Sequence, residues 1–304
     1  MNIQSVHSLT ITTLVENSAM SFLLGQWGLS FFLEITDAKN RQRNIILDTG
    51  KDKRALLQNI KLLKKDLKDL DCIVLSHGHL DHTATTTEIV KASGGTKVYA
   101  HPHTFLSRHV VSKDGKKRRI GVPEGEGIAE IEKAGGKVIL TSKPTEILPG
   151  LWITGQIPRT TKFENVMDLP KGERLVICIN GQEADDQILD DQTLYTHIKD
   201  VGVYAITGCA HSGLINTLQH VQKMSGSKQV TGIIGGTHLV GRSDKYIQRT
   251  ITELNHIGMN LISPCHCTGF KAQTRLWEAF PNAFVLNYSG RIIKAGEEPK
   301  PRII

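Results

Sequence analysis

The stretch 72–82 constrains this chain more than any other. It reads Cys-Ile-Val-Leu-Ser-His-Gly-His-Leu-Asp-His. Ile73, Val74 and Leu75 form a short apolar run bounded by polar residues, the pattern of a strand covered on both faces. The chain then places His77, His79, Asp81 and His82 within six consecutive positions. Imidazole and carboxylate are good ligands for zinc and other divalent transition metals. His77 and His79 are two apart, so on an extended segment they point the same way and can grip one ion. Asp81 and His82 follow a turn and can face a second ion close by. Gly78 lets the backbone bend between the histidines. A histidine-rich surface loop is the plain alternative, and four donors directly after a buried strand argue against it. The ligands are expected in a tight loop at the carboxyl end of a strand, where α/β sheets commonly place ligand sites.

The flanking sequence repeats that arrangement. Strands are expected at 8–15, 27–35 and 44–47, the last running into Asp48-Thr49-Gly50. A lysine-faced helix is expected over 51–67 and a threonine-rich, intrinsically weak one over 82–92. A strand at 97–100 leads to His101-Pro102-His103, where His101 either lines the site or serves as a turn residue. Residues 103–127 are poor in apolar side chains and read as an insertion in a single domain spanning 1–304, with the character of a lid. Later strands, at 203–207, 230–234 and 260–263, run into Cys209-Ala210-His211, Gly236-Thr237-His238 and Cys265-His266-Cys267. If segment 265–267 is extended, His266 points away from both cysteines, so a clamp of all three on one ion is not expected. The segment 284–287 is expected to close the sheet. Two halves feeding ligands from strand ends fit an α/β four-layer αββα sandwich.

Composition narrows the function classes. With no run of about 18 apolar residues, no membrane span is expected. The first residues show no basic region followed by an apolar core and a small-residue cleavage site, so secretion is not expected, and five cysteines, an odd number, suit a reducing cytoplasm better than a disulfide framework. Lys plus Arg (37) exceeds Asp plus Glu (30), which gives a net charge of +7. That excess is compatible with a small anionic substrate or with nucleic acid. Basic residues are not interleaved with aromatics, so nucleic acid ranks last. Arg119, at the end of the basic run Lys116-Lys117-Arg118-Arg119, and Arg159 are candidate phosphate contacts, because a guanidinium matches phosphate geometry. The acidic stretch with Glu183, Asp185, Asp186, Asp190 and Asp191 reads mostly as a solvated turn, with Asp185 and Asp186 able to approach the metals.

His77-Gly78-His79-Leu80-Asp81-His82 matches the H-x-H-x-D-H signature of the metallo-β-lactamase superfamily, which this chain resembles over most of its length. Segments 206–213, 235–239 and 264–269 are similar to the branch that includes the dihydropterin-methyl-(ribofuranosyl)aminobenzene phosphate synthases of methanopterin biosynthesis. The resemblance implies two divalent ions, zinc first, with manganese or iron as alternatives. It assigns His77, His79, Asp81, His82, His211 and His266 as ligands, and Asp81 as the residue that also orients or deprotonates the water. It gives Asp48 a supporting role by hydrogen bonding. Two features depart from the superfamily. Thr207-Gly208 is followed by Cys209 where many members carry a bridging aspartate, and no histidine precedes it at the usual strand end. His211 or His238 is therefore left to supply a ligand, and Cys209 is either a further ligand or a small buried hydrophobe. The implied activity is transfer to or hydrolysis of a phosphate-bearing small molecule. A general phosphoester, thioester or lactone hydrolase is the alternative, and a non-catalytic metal-dependent sensor is a third.

Overall fold

The structure, a computed structural model, describes residues 4–164 and 172–296. Two seven-stranded sheets lie face to face. The first runs, edge to edge, Ile292–Lys294, Ser8–Val15, Ser30–Thr36, Gln42–Leu47, Leu70–Val74, Lys97–Ala100 and Lys137–Leu140. The second runs Thr145–Leu148, Leu151–Ile153, Thr193–Ile198, Gly202–Thr207, Gly232–Gly236 and Leu261–Cys265, with Ser5–Val6 pairing alongside Thr193–Ile198.

Alternation along the strands decides what each face covers. Cys72 and Val74 point between the sheets, where they join Leu33, Ile45 and Leu47 from their own sheet and Leu194, Ile206, Ile234 and Cys265 from the other. Ile73 and Leu75 point outward onto the helices Lys53–Leu62, Thr86–Ala92 and Ile128–Lys133. Across the molecule Val203, Ala205, Ile233 and Ile262 pack under Leu214–Ser225, Asp244–Ile257 and Phe270–Ala279. The layers are therefore helix, sheet, sheet, helix. Among the described residues no helix is long and apolar enough to cross a membrane.

Three expectations change. The helix at 82–92 is two pieces, Leu80–Thr83 and Thr86–Ala92. Between them the Ala84 N–H donates to Gly50 O at 3.0 Å, and the His82 carbonyl accepts the Thr49 N–H at 2.7 Å. Tertiary partners have taken backbone groups that a weak helix holds loosely. The strand at 284–287 is a single bridge from Phe284 to Ile262; the last described strand is Ile292–Lys294, on the other sheet. The segment 103–127 carries two strands, Arg108–Val111 and Lys117–Arg119, which form a four-stranded sheet with Arg174–Ile179 and Gln182–Asp185.

The turn after Ser30–Thr36 supplies a pH-dependent anchor. Asp37 is buried; its Oδ1 accepts the N–H groups of Lys39 and Arg41 at 2.8 and 3.0 Å, and its Oδ2 faces Arg43 Nε at 3.1 Å. Burial opposes ionisation, but these donors hold the carboxyl down to about 2 from the usual 3.8. A depressed carboxylate stabilises the fold above its unfolded value, and the contribution is lost as pH falls from about 4 to 2. Asp37→Asn is expected to lose roughly 1–2 kcal/mol at pH 7, the half-exposed Arg41 being partly screened by solvent. Urea unfolding at pH 7 and at pH 3 should show the gap between variant and parent narrowing in acid. A constant gap would refute the electrostatic origin.

Candidate metal centre

Parallel pairing brings the site together. In the first sheet Gln42–Leu47, Leu70–Val74 and Lys97–Ala100 run in parallel, and in the second Gly202–Thr207, Gly232–Gly236 and Leu261–Cys265 do the same. Their carboxyl ends therefore open on one rim of each sheet. Asp48, the 76–82 loop and His101 leave the first rim, and Cys209, His211, His238 and His266 leave the second.

Two trios of donors form there. The ligand atoms of His77, His79 and His211 lie within 4.8 Å of one another, as do those of Asp81, His82 and His266. His77 Nε2 is 3.0 Å from His79 Nδ1, and His82 Nε2 is 3.1 Å from His266 Nε2. Asp81 Oδ2 lies 3.4 Å from His266 Nε2 and 4.0 Å from His82 Nε2. His211, not His238, groups with His77 and His79; His238 lies behind it, ring centroids 4.2 Å apart and planes tilted by 45°.

Neighbours fix the ring orientations. Asp48, buried and at φ 60°, accepts from Ser76 N and Ser76 Oγ, both at 2.7 Å, and from His82 Nδ1 at 2.6 Å. Its carboxylate is thus occupied by support contacts. Ser76 Oγ lies 2.9 Å from His77 Nδ1, and Asn17 Oδ1 lies 3.0 Å from His266 Nδ1. With Nδ1 engaged in each case, Nε2 is left facing the site.

The donor set fits a cation. Both ring nitrogens of His211 and Nε2 of His79 are buried without a hydrogen-bond partner. Unpaired buried polar atoms are costly, and a divalent ion would satisfy them. Burial pushes His77 and His211 well below the usual imidazole range and His79 down to about 3, so their lone pairs are free at neutral pH. Burial also opposes charge on His82, but Asp48 and Asp81 outweigh it and raise it to about 9. For Asp81, burial is overcome by His82 and His266, which hold its carboxyl well below the carboxylate range.

Behind the loop lies a network that the composition of 183–191 conceals. Arg108 is fully buried and makes a forked contact with Asp190, Nη1 to Oδ2 at 2.7 Å and Nη2 to Oδ1. Its Nε sits 2.8 Å from Asp186 Oδ2, off the hydrogen-bond axis, so that contact is ionic. Asp190 Oδ2 also accepts the Gly78 N–H at 2.7 Å and so ties the ligand loop down. The stretch expected as a solvated turn therefore buries Asp186, Asp190 and Asp191; Asp185 is exposed and pairs with Arg174 at 3.5 Å. Asp186, which the sequence left able to approach the metals, instead faces Arg108. Burial raises Asp191 to about 6, and its Oδ2 accepts the Ser212 N–H at 2.8 Å. Gly78 is required for room: a Cβ there would sit 2.1 Å from Thr104 O and 2.5 Å from Arg108 Nη1. Its φ is not positive, so room, not a left-handed conformation, is what calls for glycine there.

Other candidates fall at the periphery. Arg119 is exposed, with Nη2 on Val122 O at 2.6 Å; nearby, Leu80 N donates to Ile120 O at 2.8 Å, which seats this hairpin against the ligand loop. Arg159 is half-buried, donates to Gln187 O and keeps an unpartnered Nε. His101 is buried with Nδ1 accepting the His103 N–H at 3.0 Å, and burial lowers it to about 4. Cys267 belongs with Cys209 and His238, because the chain leaves the strand at Cys265 and turns through a 3₁₀ segment, His266–Thr268, where alternation no longer holds. Burial raises the Cys209 thiol, whereas Cys267, despite burial, is held low by Cys209 and His238. Cys265 points into the core between the sheets.

A family profile described as "Metallo-beta-lactamase superfamily" matches residues 28–158. The chain is 32% identical over 297 residues to the 7,8-dihydropterin-6-methyl-4-(beta-D-ribofuranosyl)-aminobenzene-5'-phosphate synthase of Methanocaldococcus jannaschii, covering 97% of this chain and 99% of that protein. It is also 32% identical over 284 residues to a protein of the same organism named only as uncharacterized, MJ0448, covering 93% of this chain and 99% of the other. Among solved structures, Tm1679, described as a metal-dependent hydrolase of the beta-lactamase superfamily, superposes with a TM-score of 0.75 at 23% identity, covering 95% of this chain and 100% of that one.

Proposed function

This chain belongs to the metallo-β-lactamase superfamily, and from that premise we propose that it is a two-metal transferase joining a dihydropterin-methyl diphosphate to the amine of a phosphorylated ribofuranosyl-aminobenzene. The observation that carries this is a double donor set, His77, His79, His211 beside Asp81, His82, His266, in a chain aligned end to end with a synthase of that product. Those residues would hold the ions, whose positive charge, when bound, stabilises a departing diphosphate.

The chain's own groups do the rest. Asp48, through His82, and Asn17, through His266, keep two imidazoles aimed at the site. Asp81, with a side chain 14% exposed, is the member of its trio within reach of a reactant. As the amine nitrogen forms its bond to the pterin methylene carbon, the carbon–oxygen bond to diphosphate breaks. The ammonium proton then leaves to a carboxylate, the role proposed for Asp81. Arg119 and Arg159 are assigned to the substrate phosphates. Hydrolysis of a phosphoester, thioester or lactone is the second reading, because ions held by the same double donor set would also activate water.

Full-length protein loaded with zinc or manganese, given the pterin diphosphate with and without the arylamine, separates the two. Diphosphate release that requires the amine, and that stops on chelation, is the expected result. Equal release without the amine would establish hydrolysis instead, and no release under either condition would reject both.

A further inference from the structure

Cys209, Cys267 and His238 have no part in that mechanism, yet their ligand atoms all lie within 4.8 Å of one another. They come from three successive strand ends of the second sheet, set side by side by the parallel pairings of Thr207 with Gly235 and of Gly236 with Cys265. Both cysteines are buried, and neither is in a disulfide. His238 Nδ1 is buried without a partner, and the His238 N–H donates to Cys267 Sγ at 3.3 Å. Cys267 Sγ also lies 3.6 Å from Cys209 O.

The backbone is bent to make this cluster. Ala210 and His238 adopt φ of 56° and 49°, in the left-handed region that residues with a Cβ disfavour. Gly236 leaves space for it: a Cβ there would stand 2.7 Å from Cys267 Sγ and 2.2 Å from Gly208 O. Cysteines buried as small hydrophobes do not need an imidazole with an unpaired nitrogen between them. Two thiols and an imidazole are a donor set for a thiophilic ion, softer than the nitrogen and oxygen donors of the two trios.

We propose that Cys209, Cys267 and His238 form a third metal position, taking zinc or a similar thiophilic divalent ion. Cys209 also groups with His77 and His82, one member of each trio, so its sulfur links this position to the pair. The proposal concerns binding alone and holds whichever reaction the site performs.

Cobalt(II) is the probe. Full-length protein, stripped by chelation, is titrated with cobalt alone and followed by near-ultraviolet thiolate-to-cobalt charge transfer and by bound metal. The wild type is expected to take up one equivalent beyond the pair, accompanied by growth of the charge-transfer band. Cys267→Ser and His238→Ala should each bind one equivalent fewer, and Cys267→Ser should lose most of the band. Cys265→Ser, altered in the core between the sheets, should keep the wild-type count. A wild type that saturates at two equivalents overturns the proposal even if the variants fail to fold. So do variants that retain the wild-type count and band. Three ions bound without turnover would reject the transferase and leave this site standing.

Discussion

Asp81→Asn is expected to lower kcat/KM by about a thousandfold or more and to bring bound metal from two ions toward one in the paired site, with the fold unchanged. Asparagine has nearly the shape of aspartate, so packing is kept and only the charge goes. Asp81 is the one anion in its trio; the other two members, His82 and His266, are imidazoles. Without it, His82 and His266 face a dication with no negative charge between them, in a buried setting where each charge counts strongly. The carboxylate proposed to take the amine proton is lost as well. Elemental analysis beside steady-state kinetics checks both halves. Two tightly held ions with activity within tenfold of the parent would remove Asp81 from both roles.

Arg108→Met should be among the most destabilising single changes in the chain. The guanidinium is fully buried between Asp186 and Asp190, 4% and 0% exposed. Removing one partner of such a group leaves uncompensated buried charge, which costs about 3–5 kcal/mol. The loop suffers too, because Asp190 would then be drawn off the Gly78 N–H toward water or protonated. A triple variant tests the cause. Arg108→Met with Asp186→Leu and Asp190→Asn removes all three charges, while the amide introduced by Asp190→Asn keeps an oxygen for the Gly78 N–H. It should recover most of the stability, since replacing a whole buried ion group with apolar side chains is often neutral or better. Denaturant unfolding measures it, and a triple variant no more stable than Arg108→Met would show that packing, not charge, dominates there.

The two networks differ in how far the sequence foretells them. His77, His79, Asp81 and His82 are legible because six consecutive positions set their spacing, and the buried strand before them is visible as an apolar run. The helices Leu214–Ser225 and Asp244–Ile257, and the strand ends that deliver His211 and His266, are legible for the same local reason. Arg108 and Asp190 stand 82 positions apart. Asp190 lies in an acid-rich stretch and Arg108 in a segment poor in apolar residues over its whole length, and both look solvated until Arg108–Val111 pairs with Arg174–Ile179 and carries the acidic segment inward.

His211 and His238 show the same boundary. Both follow a strand and small residues, and their local patterns are equivalent as potential ligands. Only the seating of their strands in the second sheet places one imidazole against His77 and the other behind it with Cys209 and Cys267. For Cys267 the local rule, alternation, misleads because it ends where the strand ends.

By itself the sequence determined the ligand loop, the layered α/β architecture and the histidines able to bind metal, because spacing along a chain dictates which side chains share a face. Tertiary structure alone decided which histidine completes the first trio, that a buried arginine anchors the loop, and that two thiols meet an imidazole. Those contacts join residues far apart along the chain, and only strand pairing within each sheet and the packing of the sheets on one another bring them together.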